Sequence, residues 1–242
     1  MARVRTVRQA AAWIDRVGLA LLFPKADSVL PSLWEQVHGS PAPEWAERGE
    51  DGTFVRWTPD LAFLWRAKDE LPRSGLACVG RHLARAVSCV SPVLLPALAA
   101  ASADEEVGSD ETAVVAAVRE NGPLTAPQLR TLLGLEKRAV ERALALLHRR
   151  VVLTHSHLVQ DGAGWGSLAH ELVERKWPPS AAAAARDDAR RTLAATVLAT
   201  SGELTAADLA GVFGWRRREA AAVLDEVGTG RDGDGFRIWA RP

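Results

Sequence analysis

The 242-residue sequence has no tyrosine, only two cysteines, a single methionine and no net charge, its 30 Lys and Arg balancing 30 Asp and Glu. Two cysteines, Cys78 and Cys89, cannot build a disulfide framework or a zinc ribbon, and they suit a reducing cytoplasm. A chain without net charge does not coat nucleic acid indiscriminately, so any nucleic-acid site has to be local. The start, Met1 to Arg8, holds basic residues but no continuous apolar run ending in a cleavage site, and no signal peptide is expected. The most apolar stretch, Cys89 to Ala103, is shorter than the roughly 20 residues of a membrane-spanning helix and contains Pro92 and Pro96. No membrane partner is therefore expected. The patterns G-x-x-x-x-G-K-S/T, G-x-S-x-G and H-E-x-x-H are all missing, which leaves nucleotide hydrolysis and common cofactor chemistry without support, and no cofactor is expected.

What is present is an ordinary globular composition, 48% hydrophobic and 25% charged, with nine tryptophans and an internal repeat. Asn121–Leu147 laid over Ser201–Val227 matches at eight of 27 positions, at a constant offset of 80 residues. The shared residues are Gly122/Gly202, Leu124/Leu204, Thr125/Thr205, Ala126/Ala206, Leu129/Leu209, Gly134/Gly214, Arg138/Arg218 and Leu144/Leu224. Each copy predicts a helix ending at Asn-Gly or Ser-Gly, then a short helix capped by Thr125 or Thr205 with Gln128 or Asp208 reaching back. Gly134 or Gly214 stops the short helix, and a third helix follows over Glu136–Arg149 or Arg216–Val227. A short helix, a Gly turn and a longer helix are the parts of a DNA-binding helix-turn-helix.

Short β-type runs after each third helix favour the winged variety: Val151–Leu153 and His157–Val159 in the first copy, Phe236–Trp239 behind the Arg231–Gly235 tip in the second. Gly162–Gly166 reads as a turn and Ser167–Lys176 as a short helix stopped by Pro178-Pro179. In the first 100 residues, Thr6 and Gln9 form a further capping box, Asp51-Gly52 signals a hairpin, Thr58-Pro59 starts a helix to about Glu70, and Arg73–Ser88 reads as another helix. The expected architecture is mainly α with small β-ribbons, in tandem winged helix-turn-helix units: a diverged one over 1–100, an acidic linker at 101–110, a central one with a connecting helix over 111–180, and one over 181–242.

The sequence resembles the AlkZ/YcaQ-like winged-helix proteins, bacterial DNA glycosylases acting on alkylated and crosslinked bases, and more narrowly their shorter AlkZ-related relatives. The resemblance rests on Val17–Pro24, Pro31-Ser32-Leu33-Trp34, Trp65–Pro72, Ser91–Leu98 and Gly164-Trp165-Gly166 before Leu172-Val173. It implies a repair scaffold with duplex or damaged DNA as partner. In those glycosylases two polar residues ahead of a proline position the attacking water; here the matching positions hold Leu21 and Phe23, which can neither hold a water nor accept a proton. The usual catalytic dyad is therefore expected to be absent.

The candidate DNA-binding residues are Lys137, Arg138, Arg142, Arg149 and Arg150 on the first presumed recognition helix and Arg216, Arg217 and Arg218 on the second. Solvated helix faces paired with Glu136, Glu141 and Glu219 are the bland alternative. His148, His155 and His157 suggest a metal only weakly, since no Cys or carboxylate sits at ligand spacing, and no metal is expected. Cys78 and Cys89 read as small buried hydrophobes on or just after one helix. Asp15, Asp27, Glu35 and Asp69 are the carboxylates available to an unconventional general base, and Trp34, Trp57 and Trp65 read as core rather than as stacking platforms. The reading is a DNA-binding protein without the glycosylase dyad; the alternatives are an active glycosylase with a non-standard catalytic residue and a winged-helix module for a protein partner or transcriptional regulation.

Overall fold

The computed structural model describes residues 3–42, 45–102, 107–160, 166–178, 185–232 and 237–241. Along these residues one element order recurs three times: helix, strand, helix, helix, strand, strand. The first series is α1 (Val7–Val17), β1 (Leu19–Leu21), α2 (Leu33–His38), an inserted hairpin of β2 (Ala46–Arg48) and β3 (Phe54–Trp57), then α3 (Pro59–Arg73), β4 (Cys78–Leu83) and β5 (Ala86–Val90). A single 3-10 turn, Pro92–Leu94, leads into α4 (Leu95–Ala101). The second series is α5 (Ser109–Asn121), β6 (Leu124–Thr125), α6 (Ala126–Leu133), α7 (Lys137–Arg149), β7 (Leu153–Val159) and β8 (Ser167–Leu172), followed by the one-turn α8 (Val173–Lys176). The third is α9 (Arg186–Ser201), β9 (Glu203–Thr205), α10 (Ala206–Phe213), α11 (Arg217–Val227), β10 (Thr229–Asp232) and β11 (Arg237–Ala240). In every series the last strand lies in the middle of a three-stranded antiparallel sheet, giving the orders β1-β5-β4, β6-β8-β7 and β10-β11-β9. The chain is thus mainly helical with small sheets.

The helix starts follow the local chemistry of the sequence. The hydroxyls of Thr6, Thr125 and Thr205 each accept from the backbone N–H three residues on, and the side chains of Gln9, Gln128 and Asp208 accept from the Thr backbone N–H in return. Ser32 and Glu35 do the same at α2. Gly134 and Gly214 sit in the left-handed region, at φ 65° and 75°, where a side chain would be strained.

Three expected elements differ. The segment read as a helix over Arg73–Ser88 is the β4–β5 hairpin, so Cys78 and Cys89 lie on paired strands. Ser167–Lys176 is strand β8 and one helical turn, because the segment completes the sheet between β6 and β7. The two runs around 151–159 are one strand with a register irregularity between His155 and Leu158, and Val151 occupies a turn before it. Both ends of the expected linker belong to helices, Ala101 to α4 and Asp110 to α5. The Gly164-Trp165 part of the family feature, most of the Gly162–Gly166 turn, Pro179 and the Gly233–Gly235 tip with Phe236 lie outside the described residues.

Strand alternation divides the first sheet between two cores. Ala20, Leu22, Val79 and Cys89 face α1, α2 and α3, while Leu19, Leu21, Cys78 and Val90 join a core that continues through α4 into α9, α10, α11 and Trp239. The second series has its own core, built on Val114, Val118, Leu129, Val140, Leu144, Leu147, Leu153 and Leu172. The backbone N–H of Ala84 also donates to the carbonyl of Val212 at 2.8 Å, fastening the β4–β5 turn to α10.

Candidate nucleic-acid interface

Arginines from all three series converge on one concavity of about 570 Å³. Arg85 comes from the β4–β5 turn, Arg149 and Arg150 from the end of α7, Arg186 and Arg190 from the start of α9, and Arg216 from the N-cap of α11. Glu219 is the one carboxylate among the described lining residues. It accepts from the Arg216 backbone N–H at 3.2 Å and lies 3.8 Å from the Arg190 guanidinium. Arg190 also covers the Trp215 ring at 5.1 Å, and Trp215 stacks on Phe213 with 4.6 Å between centroids. Among the described lining residues six guanidiniums accompany one carboxylate, a donor set of the kind that suits phosphates.

The backbone around this cleft is strained. Ala84 and Arg85, the two residues of the β4–β5 turn, have φ of 50° and 55°, and Val151, directly after Arg150, has φ of 58°. These are the non-glycine residues with positive φ among the described residues. Left-handed backbone costs a side-chain-bearing residue about 1–3 kcal/mol and persists where the surrounding structure imposes it. Here it sets the exit of Arg85 and the path of the chain beyond Arg150.

Of the eight residues expected on DNA from the sequence, Arg149, Arg150 and Arg216 line the cleft. Lys137, Arg138 and Arg142 are exposed on α7, and Arg217 and Arg218 are exposed on α11; none of these five lines it. Lys137 lies 3.8 Å from Glu141, as a solvated helix face would have it. Sequence reasoning missed Arg85, which it placed inside a helix, and Arg186 and Arg190, whose spacing of four residues was the available signal.

Leu21 and Phe23, the positions expected from the sequence to match the family's polar dyad, face elsewhere. Leu21 is fully buried, with its N–H donating to the Pro31 carbonyl at 2.9 Å. Phe23 stands half-buried in an aromatic group, 4.9 Å from Trp45 and 6.1 Å from both Trp34 and Trp65 between ring centroids. It borders a cavity of about 400 Å³ shared with Lys25, Glu35 and Trp45. Trp34 is core as expected, but Trp57 and Trp65 are each 40% exposed. The N-terminal carboxylates have structural partners: Asp15 accepts from Ser91, Glu35 caps α2, Asp69 pairs with Lys68, and Asp27 pairs with Lys25, whose ammonium lowers the Asp27 pKa.

The two cysteines point to opposite faces of one sheet, which bars a bridge between them, and burial pushes both thiols up to about 12. The histidines are grouped differently from the sequence expectation. His155 is buried rather than at a wing tip, because β7 packs against α3 and β4. His157 is set apart, on the far side of the register irregularity, with Nδ1 against Ser156 Oγ at 3.1 Å. His170, unremarked in the sequence, joins His148 and His155 instead, and His82 adjoins them with its Nδ1–H donating to the His148 carbonyl at 2.6 Å. Burial holds all four imidazoles neutral: His82 and His170 are lowered to about 4, and His148 and His155 well below their ordinary value.

Fold and site together define a mainly helical protein whose three like series of elements share an arginine-lined cleft. The AlkZ-related family matches residues 4–214, and the chain belongs to that family. Among solved structures it is similar to the DNA glycosylase AlkZ of Streptomyces sahachiroi, at 15% identity over 73% of this chain and 55% of that one, with a TM-score of 0.44. It is also similar to the DIP2311 protein of Corynebacterium diphtheriae, at 19% identity over 84% of this chain and 43% of that one, with a TM-score of 0.23. The chain thus spans about half the length of each. No curated protein matches it.

Proposed function

We propose that the three series are winged-helix units, spanning about 1–100, 111–180 and 181–242, and that together they grip the backbone of duplex or damaged DNA in the arginine cleft. The observation that carries this reading is the convergence of six arginines, from every unit, on one concavity. A guanidinium meets a phosphate as a planar fork, so affinity comes from released counterions and falls as salt rises. The strained turn at Ala84 and Arg85 supports the same reading, since strain is retained where it positions a functional group. Leu21 and Phe23 supply no water-activating group, so the protein binds DNA without the glycosylase dyad. The test is a salt titration of affinity for duplex, bent and crosslinked DNA. A linear fall of log affinity with log salt is expected, with a shallower slope in a variant carrying Arg85→Gln, Arg150→Gln and Arg190→Gln; absence of salt-sensitive binding at micromolar protein overturns the reading.

One observation favours a second, enzymatic reading. The cavity beside Phe23 combines aromatic walls with the Glu35 carboxylate, a setting in which an extruded base could stack. Release of an alkylated base by the wild-type protein, abolished by Glu35→Gln, would establish a glycosylase with a non-standard residue.

A further inference from the structure

The imidazoles of His148, His155 and His170 come from three different elements, α7, β7 and β8, and their available nitrogens lie within 4.8 Å of one another. His155 and His170 are directly opposed in the β7–β8 register, and His148 meets both rings edge-on at 4.9 and 5.1 Å. Their exposures are 1% for His148, 4% for His155 and 8% for His170, so water does not solvate them freely. Nor do they satisfy one another. His148 Nε2 and His170 Nδ1 share a single hydrogen bond at 2.9 Å, while His148 Nδ1 and His155 Nδ1 are buried without a hydrogen-bond partner among the described residues. Buried polar atoms are normally paired, and a cluster of neutral imidazoles with orphaned nitrogens is a set of unused lone pairs.

The surroundings keep space for these rings. A Cβ at Gly80 would come within 2.5 Å of His148 Nδ1 and 2.6 Å of His82 Nε2, so a residue with any side chain on β4 would crowd the cluster. The His82 hydrogen bond to the His148 carbonyl fixes the end of α7 against β4. An imidazole-only donor set suits zinc and its neighbours in the first transition row, not magnesium or calcium, which demand oxygen.

We propose that His148, His155 and His170 form a binding site for a divalent transition-metal ion of the zinc class. The ion takes one nitrogen from each ring; the proton of the His148–His170 hydrogen bond moves to the other nitrogen of its own ring as that ring switches tautomer, so every ligand stays a neutral imidazole, and the remaining position is left to water. Zn–N bonds of about 2.0–2.1 Å set tetrahedral nitrogens roughly 3.3 Å apart, so the His148–His170 pair opens by a few tenths of an ångström on binding. The bound ion cross-braces α7 to the β7–β8 hairpin. The site is separate from the DNA reading and stands or falls without it.

The test uses the full chain stripped with a chelator and titrated with cobalt(II) alone, followed by competition with zinc(II). The expected result is one cobalt per chain with the visible absorption of a tetrahedral nitrogen site, displaced by one equivalent of zinc. His155→Ala and His170→Ala each reduce affinity by more than the roughly 10- to 100-fold that losing a ligand-orienting partner costs, while His157→Ala leaves it unchanged. Gly80→Ala, which keeps every ligand, weakens binding by crowding the rings. Circular dichroism of each variant separates loss of the site from loss of the fold, and the wild-type stoichiometry stands even where a variant unfolds. A wild-type protein that shows no stoichiometric cobalt spectrum, a His155→Ala, His170→Ala double variant that is folded and binds as tightly as wild type, or loss of binding in folded His157→Ala overturns the proposal.

Discussion

The second and third series repeat one design, yet they differ at one helix end. Helix α7 has 13 residues and α11 has 11. Alignment at the constant offset places His148 opposite Gly228, where α11 has already ended and the chain is extended. The extra stretch of α7 and the residue after it supply His148 to the histidine cluster and Arg149 and Arg150 to the cleft. The third series feeds the cleft from the opposite end of its equivalent helix, through Arg216. The repeated grammar builds the three series, and departures from it supply the histidine cluster and two of the cleft arginines. Their cores diverge too, since the second series has its own and the third shares one with the N-terminal sheet.

The largest expected effect tests that divergence with acid. Six histidines occur in the chain and none after residue 170. In chelator-treated protein the four buried imidazoles stay neutral in the folded state, while those of the unfolded chain protonate below about 6.5. The unfolded state therefore binds more protons, and stability, full above pH 6.5, falls as pH drops from 6.5 toward 4, by up to about 1.4 kcal/mol per pH unit for each imidazole. Lys68 on α3 and Arg81 on β4 push the cluster in the same direction. Hydrogen exchange between pH 7 and 5 should show amides of the second series losing protection before those of the third; simultaneous loss would mean that the two series open as one.

Next in size are the matched core deletions Leu129→Ala and Leu209→Ala, each at a fully buried position and each expected to cost about 2–5 kcal/mol. The distinguishing outcome is spatial. Leu209→Ala should deprotect amides of β1, β4 and β5 through the shared core, and Leu129→Ala should not.

For DNA, replacing Arg150 and Arg190 by Gln should weaken affinity by roughly 10- to 100-fold at low salt, while replacing Lys137 and Arg138 should change it little. Equal losses from the two pairs would put the contact on the exposed helix face instead. The smallest effect is expected at the strained turn. Ala84→Gly should raise stability by about 1 kcal/mol, read as an increased unfolding temperature, because glycine accepts the positive φ without cost.

Much of this architecture was legible in the sequence. The Thr-based capping boxes, the stopping glycines at 134 and 214, the hairpin around Asp51-Gly52 and the helix from Pro59 are short-range chemistry, and short-range chemistry is written locally. The β4–β5 hairpin was not legible, because its turn is Ala84-Arg85 with no glycine or asparagine to announce it, and the run from Arg73 to Ser88 reads as a continuous helix. Strand β8 was hidden likewise, since its identity comes from pairing with β7 and with the two-residue β6 some 40 positions earlier. The sites were legible only in part for the same reason. Arg149, Arg150 and Arg216 could be picked out on their helices, but their partners Arg85, Arg186 and Arg190 meet them only through docking of the series. His170 is 22 residues from His148 and joins it through strand register.

The burial of Leu21 also bears on how this lineage can change. A polar residue placed there would enter a fully packed strand between β5 and the segment at Ser32. An unpaired amide in such a place costs about 1–3 kcal/mol before any companion change at Phe23 could make it useful. A single polar substitution at Leu21 is thus opposed by folding alone. The packed strand resists polar change at this position, whatever chemistry such a change would offer.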